Sequence, residues 1–241
     1  MDQTVNKFFL LILILSTSCS SLQAQDSGDW QFELSPLYVW GAGISASTAA
    51  EGGEARLDTD YEFFSLSNIE MAGSLNFNGN NGRIGFSIDA AYVDFGDRFL
   101  VGPLTTDVGA DGGIFEATFD YNVGDNLKIF TGVRQASIDA DIEVTPGISA
   151  SAGKDWVDPI IGAQYLNPLG DKTYLILRGD VGGFGYSSDF TSKLEITFGY
   201  DFSELIAAEF GYRYYTVDFQ KDLFVFDASL QGIVAGLVIK F

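Results

Sequence analysis

Apolar residues recur at every second position in ten separate segments of this chain: 32–40, 69–77, 84–92, 115–121, 127–133, 157–165, 175–181, 194–200, 206–214 and 233–241. That spacing is the period of a β-strand with two unlike faces. In 84–92 the apolar phase reads Ile84, Phe86, Ile88, Ala90, Tyr92, and in 69–77 it reads Ile69, Met71, Gly73, Leu75, Phe77. Short turn sequences, Gly79-Asn80-Asn81-Gly82, Gly124-Asp125-Asn126, Asn167-Pro168-Leu169-Gly170 and Asp201-Phe202-Ser203-Glu204, separate every second pair of segments, so each of these pairs is predicted to be a hairpin. The alternate connections are predicted to be longer loops at 44–62, 96–112 and 137–155, with two shorter ones at 187–189 and 218–224.

The apolar phase of these ten segments contains no Asp, Glu, Lys or Arg, whereas the opposite phase is rich in charge, Gly and Ser. A soluble sandwich or lipocalin-like barrel would place its apolar phase inward and cover the outside with Lys and Glu. Charge confined to one phase, with short turns on one rim and long loops on the other, points instead to lipid outside. The predicted fold is all-β, an up-and-down antiparallel transmembrane β-barrel of about ten strands. Eight or twelve strands remain open, because 193–201 is weakly patterned and 44–62 could pair over part of its length. Strand parity places Phe32, Phe77, Tyr121, Tyr165, Tyr200 and Phe241 at the short-turn rim, with Trp40, Tyr92, Phe115 and Tyr214 at the other, as two aromatic girdles. The last strand ends on Phe241 and resembles the C-terminal signature read by the outer-membrane barrel assembly machinery, an expected partner.

The N-terminus changes the picture by adding a compartment. Lys7 precedes a wholly apolar run at 8–15, too short to span a bilayer and suited to an export signal. Leu22-Gln23-Ala24 offers the cleavage site. Residues 1–24 are therefore expected to be a signal peptide and 25–241 the barrel, in the bacterial outer membrane. A lipidated Cys19 would need an aliphatic residue three positions earlier, where Ser16 stands.

Charge then removes whole classes of function. Thirteen Lys+Arg against 33 Asp+Glu give a formal net charge of -20, which argues against a nucleic-acid partner. The chain has no His and a single Cys, so the usual general base and the usual soft metal ligands are missing. No enzymatic activity, cofactor or metal is expected. Carboxylates such as Asp58, Asp60 and Glu62, or Asp139, Asp141 and Glu143, lack the spacing of a calcium loop.

The inward phase holds the candidate site, a lumenal network drawn from Arg83, Asp89, Arg134, Asp158, Arg178, Asp180, Glu209 and Arg213. In a barrel this narrow, unpaired charge is expensive, so ion pairing is expected. The carboxylates Asp158 and Asp180 are expected to pair with arginine rather than perform acid–base chemistry. Two functional readings follow: a structural barrel with a charged, largely plugged lumen, or a narrow passive channel for ions or small solutes. The alternatives are a surface binding or adhesion module using its acidic loops, and a conduit for small hydrophobic molecules that would need a break in the outer phase near 179–185. A monomer surrounded by outer-membrane lipid and lipopolysaccharide is expected.

Several stretches together, Pro36-Leu37-Tyr38-Val39-Trp40, Trp156-Val157-Asp158-Pro159 followed by Gly162, the glycine-rich run from Gly179 to Gly185, Ser188-Asp189 and Gly211-Tyr212-Arg213-Tyr214, resemble a family of small outer-membrane β-barrel proteins without an assigned activity. The resemblance implies the barrel and its export, and implies no substrate. Asp158, Asp180 and Arg213 are the matched residues that fall on the lumenal phase.

Overall fold

The computed structural model describes residues 29–49, 57–61, 69–101, 104–145, 148–221 and 224–241. The expected signal segment 1–24, with Cys19, lies outside the described residues, as does Glu62. All regular structure among the described residues is β: β1 (Gln31–Ala49), β2 (Leu57–Tyr61), β3 (Ile69–Asn80), β4 (Ile84–Val101), β5 (Leu104–Asn122), β6 (Leu127–Thr145), β7 (Ile148–Pro168), β8 (Thr173–Gly182), β9 (Phe190–Asp201), β10 (Ile206–Lys221) and β11 (Phe224–Lys240). Each strand from β3 to β11 pairs antiparallel with its chain neighbour, and β1 pairs with both β3 and β11, which closes a ten-stranded up-and-down barrel. The short β2 stands on the upper edge of β1, with Ile44 opposite Tyr61. The weakly patterned segment near 193–201 is a full member, paired on both sides as β9.

Closure is completed at the short-turn rim. Phe241 N–H donates to the Phe32 carbonyl at 2.9 Å, and Phe32 N–H donates back to Phe241 at 2.8 Å. Their rings stack with centroids 5.9 Å apart, and Phe77 stacks on the other side of Phe32 at the same separation. The short turns are held by side chains suited to the task. Asn81 Oδ1 accepts from the amides of Arg83 and Ile84, and Ser203 Oγ accepts from Ile206.

Exposure follows the predicted parity. Phe115, Phe119 and Tyr121 of β5 are exposed, as are Leu194, Ile196, Phe198 and Tyr200 of β9 and Phe210, Tyr212 and Tyr214 of β10, whereas Glu116, Asp120, Arg134, Asp158, Asp180 and Arg213 are buried. Hydrophobic side chains outside and ionic ones inside are stable only where hydrocarbon replaces water around the wall.

Two expectations need correction. The phase assigned to 32–40 holds only to Leu34: a bulge between Leu34 and Leu37 inserts a residue and slips the strand. Beyond it Leu37 takes the position opposite outward-facing Leu237, while Trp40 falls opposite buried Val234 and leaves the outer girdle's register. The connections 96–112, 137–155 and 218–224 are also mostly strand rather than loop. β4 continues into β5 with Val101 opposite Leu104, β6 into β7 with Val144 opposite Ile148, and β10 into β11 with Lys221 opposite Phe224. Interstrand hydrogen bonding carries these ladders beyond the hydrophobic belt, where the apolar alternation used to find them has changed face.

The wall is uneven in consequence. β7 has 21 residues and β8 only 10. The β8–β9 connection turns at Gly183, Phe184 and Gly185, with φ of 85°, 52° and 73°. Three successive residues in the left-handed region stop the strand, and glycine at two of them limits the steric penalty.

Candidate functional site in the lumen

Midway up the barrel, the inward positions of β5, β6, β8 and β9 bring five charged side chains together. Arg134 is fully buried and bridges two acids, with Nε donating to Glu116 Oε1 at 2.7 Å and Nη2 to Asp180 Oδ1 at 2.6 Å. Its Nη1 donates to Thr191 Oγ1 at 3.2 Å. Glu116 in turn accepts from Lys193 Nζ at 2.5 Å and from Arg178 Nη2 at 3.2 Å. Arg178 Nε lies 3.9 Å from Asp180 Oδ2, an ion pair without a hydrogen bond. Aromatic faces back the two guanidiniums, Tyr215 at 5.0 Å from Arg134 and Phe130 at 4.4 Å from Arg178. Because Glu116 is directly opposite Arg134 in the β5–β6 register, ladder geometry preorganises the central contact.

A second group sits beside it. Arg213 Nε donates to Glu195 Oε2 at 2.6 Å, and its Nη2 lies 3.7 Å from Asp89 Oδ2. Asn76 Nδ2 also donates to Asp89, at 3.2 Å. The space left between the two groups is a void of about 10 Å³, bordered by Asp89, Glu116, Lys193 and Arg213, room for about one water. Ions stripped of bulk water are held here by opposite charges at contact distance, the condition under which buried charge is tolerated.

The eight residues singled out from the sequence have five fates. Arg134, Arg178 and Asp180 join the central group, and Asp89 and Arg213 form the second. Glu209 meets the Tyr174 hydroxyl, which donates to its Oε1 at 3.0 Å nearer the short-turn rim. Asp158 is opposite Arg134 in the β6–β7 register, yet its carboxylate receives Ser188, from the amide at 2.8 Å and from Oγ at 2.6 Å. Both partners are fully buried, so this contact ties the β8–β9 turn to the interior. Arg83 is not lumenal: it is exposed in the β3–β4 turn, because β4 begins one residue later and the turn bonds to Asn81 hold its amide outside the ladder. Sequence reasoning placed Glu116 on the inward phase without singling it out. It missed Lys193 because the β9 pattern was started at Leu194, whereas the strand begins at Phe190; one further step of alternation would have found it.

Above the ionic groups the lumen changes chemistry. Trp156, Tyr215, Val217, Phe219, Phe226, Ala136 and Ala228 form one buried apolar cluster, with Ile114, Ile138 and Leu230 packed against it. The Trp156 ring lies 4.9 Å from Phe219 and 5.9 Å from Phe226. The outer surface changes in the opposite sense at the same level. Outward positions on β5, β6 and β7 pass from Phe115, Val133 and Val157 to Asp111, Asp139 and Asp155, which carry acid at the rim.

A closed antiparallel cylinder with a hydrocarbon-compatible exterior and an ion-paired interior is a transmembrane β-barrel. No family model and no curated protein matches the chain. Solved structures similar to it include the outer-membrane protease OmpT from Escherichia coli, 8% identical, with 91% of this chain and 99% of that one aligned and a TM-score of 0.49. The attachment invasion locus protein Ail of Yersinia pestis, solved with the heparin analogue sucrose octasulfate, is 12% identical, with 88% of this chain and 99% of that one aligned and a TM-score of 0.42. Neisserial surface protein A is 12% identical, covering 88% and 97%, with a TM-score of 0.31. Likenesses this loose decide nothing about activity.

Proposed function

We propose that the protein is a closed, non-conducting barrel of the bacterial outer membrane, in which the membrane span anchors a folded rim that projects beyond the bilayer. The observation that carries this reading is the double closure of the lumen. Glu116, Arg134, Asp180 and Lys193 fill its middle in direct contact, and the Trp156–Phe219–Phe226 cluster fills its upper part. An ion crossing the barrel would have to break buried salt bridges and then traverse a dry aromatic layer, two barriers in series. The narrow-channel reading is therefore disfavoured. The hydrophobic-conduit reading needs an opening near 179–185; β8 stays paired on both sides up to Gly182, and where the ladder stops at Gly183–Gly185 the buried Asp158–Ser188 contact ties the turn back to the interior. The uneven rim, with acids on its outer face, supports a binding or scaffolding role at the cell surface, without enzymatic chemistry. Planar-bilayer recording of folded protein at high salt tests this: the expected trace shows no steps above lipid background, and reproducible single-channel steps would overturn it.

A further inference from the structure

The notch above β8 and β9 leaves a strand edge open. β7 runs from Ile148 to Pro168, but β8 pairs with it only from Ile160 onward, and above Gly182 and Phe190 neither β8 nor β9 continues. Residues 148–159 are therefore bonded to β6 on one side, and no strand among the described residues pairs with them on the other. The Pro159 carbonyl points to the open side, where it accepts from Gly183 N–H at 3.1 Å; the Ile160 carbonyl points to β6, where it accepts from Thr131 Oγ1 at 3.0 Å. Alternation then turns the amides and carbonyls of Val157, Asp155, Gly153, Ser151 and Ser149 toward the open side. Backbone groups left without a ladder cannot stand in hydrocarbon, so this edge lies beyond the bilayer. From Ser149 to Val157 it has no Pro, and its ladder to β6 runs without a register shift, so neither of two common devices that blunt a strand edge is in place. Such an edge is a template for one more strand.

The charge beside the edge defines its occupant. Ser149, Ser151, Gly153 and Asp155 are exposed on the outer face. Asp111 is opposite Asp139, and Asp139 is opposite Gly153, so a row of acids crosses β5 and β6 and ends at the open strand. The Asp139 carboxylate lies over Gly153, in the space a Cβ there would fill, so the missing side chain lets this acid reach toward the edge. Lys154 alternates to the inner face. An outward side chain opposite Gly153 on an added strand would meet Asp139, with Asp155 two residues along, a place for Lys or Arg. A second copy of this chain would bring the same acids to the contact, which like charge disfavours.

We propose that the open edge of β7 takes up an extended segment of another protein as an additional strand, with a Lys or Arg of that segment seated opposite Gly153 beside Asp139 and Asp155. The proposal rests on the reading of a rim that projects beyond the bilayer, and adds what the rim binds. The full chain in nanodiscs of phosphatidylcholine, which has no net charge, would be titrated with a fluorescent peptide of about ten residues alternating lysine and threonine. Its glutamate–threonine counterpart and a form methylated on the lysine amides, which would face β7, serve as comparisons. The lysine peptide should bind about tenfold more tightly than either and slow hydrogen exchange at Asp155, Gly153 and Ser151 about tenfold. Ser151→Pro removes an edge amide and no bond to β6, and should weaken binding about tenfold. Asp139→Asn with Asp155→Asn should make the lysine and glutamate peptides bind alike, with heat-modifiable gel mobility showing each variant folded. Equal binding of the three peptides, exchange at those amides unchanged by the lysine peptide, binding unaffected by Ser151→Pro in folded protein, or a dimer that closes the edge would overturn the proposal. A Ser151→Cys variant in a Cys19→Ser background that resists a charged methanethiosulfonate would instead contradict the projecting rim itself.

Discussion

Below the outer girdle this barrel is inside out, and above it the barrel is an ordinary protein. On β10 the outward positions run Ile206, Ala208, Phe210, Tyr212, Tyr214 and then turn polar at Thr216, Asp218 and Gln220. The inward positions run Glu209 and Arg213 and then turn apolar at Tyr215, Val217 and Phe219. β6 makes the same exchange, from outward Val133 and inward Arg134 to outward Asp139 and inward Ile138. One continuous ladder carries both halves, so backbone pairing does not cause the inversion. The surrounding medium does: hydrocarbon rewards an apolar exterior and water rewards an apolar core. The level of the inversion marks where the bilayer ends.

If the halves are held by different forces, single changes should separate them. The largest effect is expected in the ionic half, from Arg134→Ala. It removes the cation that hydrogen-bonds Asp180 and one of the three around Glu116 in a buried interior, and unfolding by guanidinium in detergent should show a loss of about 3–5 kcal/mol. An effect under about 1 kcal/mol would mean that water reaches these acids. Phe219→Ala in the apolar half should cost about 3 kcal/mol by leaving a cavity. Hydrogen exchange should show its damage confined to the upper parts of β10 and β11, with amides around Phe210 still protected; equal loss along the whole of β10 would show that the upper half has no core of its own.

Ser188→Ala tests the join between the halves. Asp158 would keep the Ser188 amide and lose the hydroxyl, a change of about 1–3 kcal/mol that should appear as faster exchange in the β8–β9 turn. The smallest effect belongs to the exterior of the upper half, where Asp111 and Asp139 are directly opposite across the ladder. Partial burial, then Asp111 and Asp155, raise the Asp139 carboxyl. A carboxyl raised in the folded state favours the folded state while protonated, so that contribution is present at low pH and fades as pH rises through the raised value. Opening of the β5–β6 extension should therefore be more frequent at neutral than at acidic pH. Asp139→Asn should remove that dependence and stabilise neutral protein by less than about 1 kcal/mol, read as a small rise in melting temperature at low salt that fades at high salt.

How much of this was legible in the sequence depends on the half. The ten strands, the last of them ending on Phe241, and the lipid-facing phase were readable because hydrocarbon forbids charge on one phase of stretches such as Ile206 to Tyr214. Arg134, Asp180 and Arg213 could be placed in the lumen by parity alone, but their partners could not, since pairing across the lumen, as between Arg134 and Asp180, depends on curvature and register. The upper half reads as loops in the sequence because its apolar residues leave the outer phase: Tyr215-Val217-Phe219 and Phe226-Ala228-Leu230 alternate on the inner one. Trp40 was misplaced because a one-residue bulge at Ser35 and Pro36 leaves no mark in an alternation that is apolar on both sides of it. Arg83 was misplaced because parity was carried one residue past the strand's start.

Adjacent residues of β5 report in one measurement on both sides of the wall, the exterior in lipid and the interior filled with side chains. Single cysteines would replace Thr118, which is 7% exposed, and Phe119, which is 54% exposed, in a Cys19→Ser background, and the folded protein in liposomes would be treated with thiol reagents. The cysteine at 119 should react with a lipid-soluble maleimide and resist a charged methanethiosulfonate, while the cysteine at 118 should resist both. Ready reaction of the cysteine at 118 with the charged reagent would show a water-filled lumen in place of a packed one.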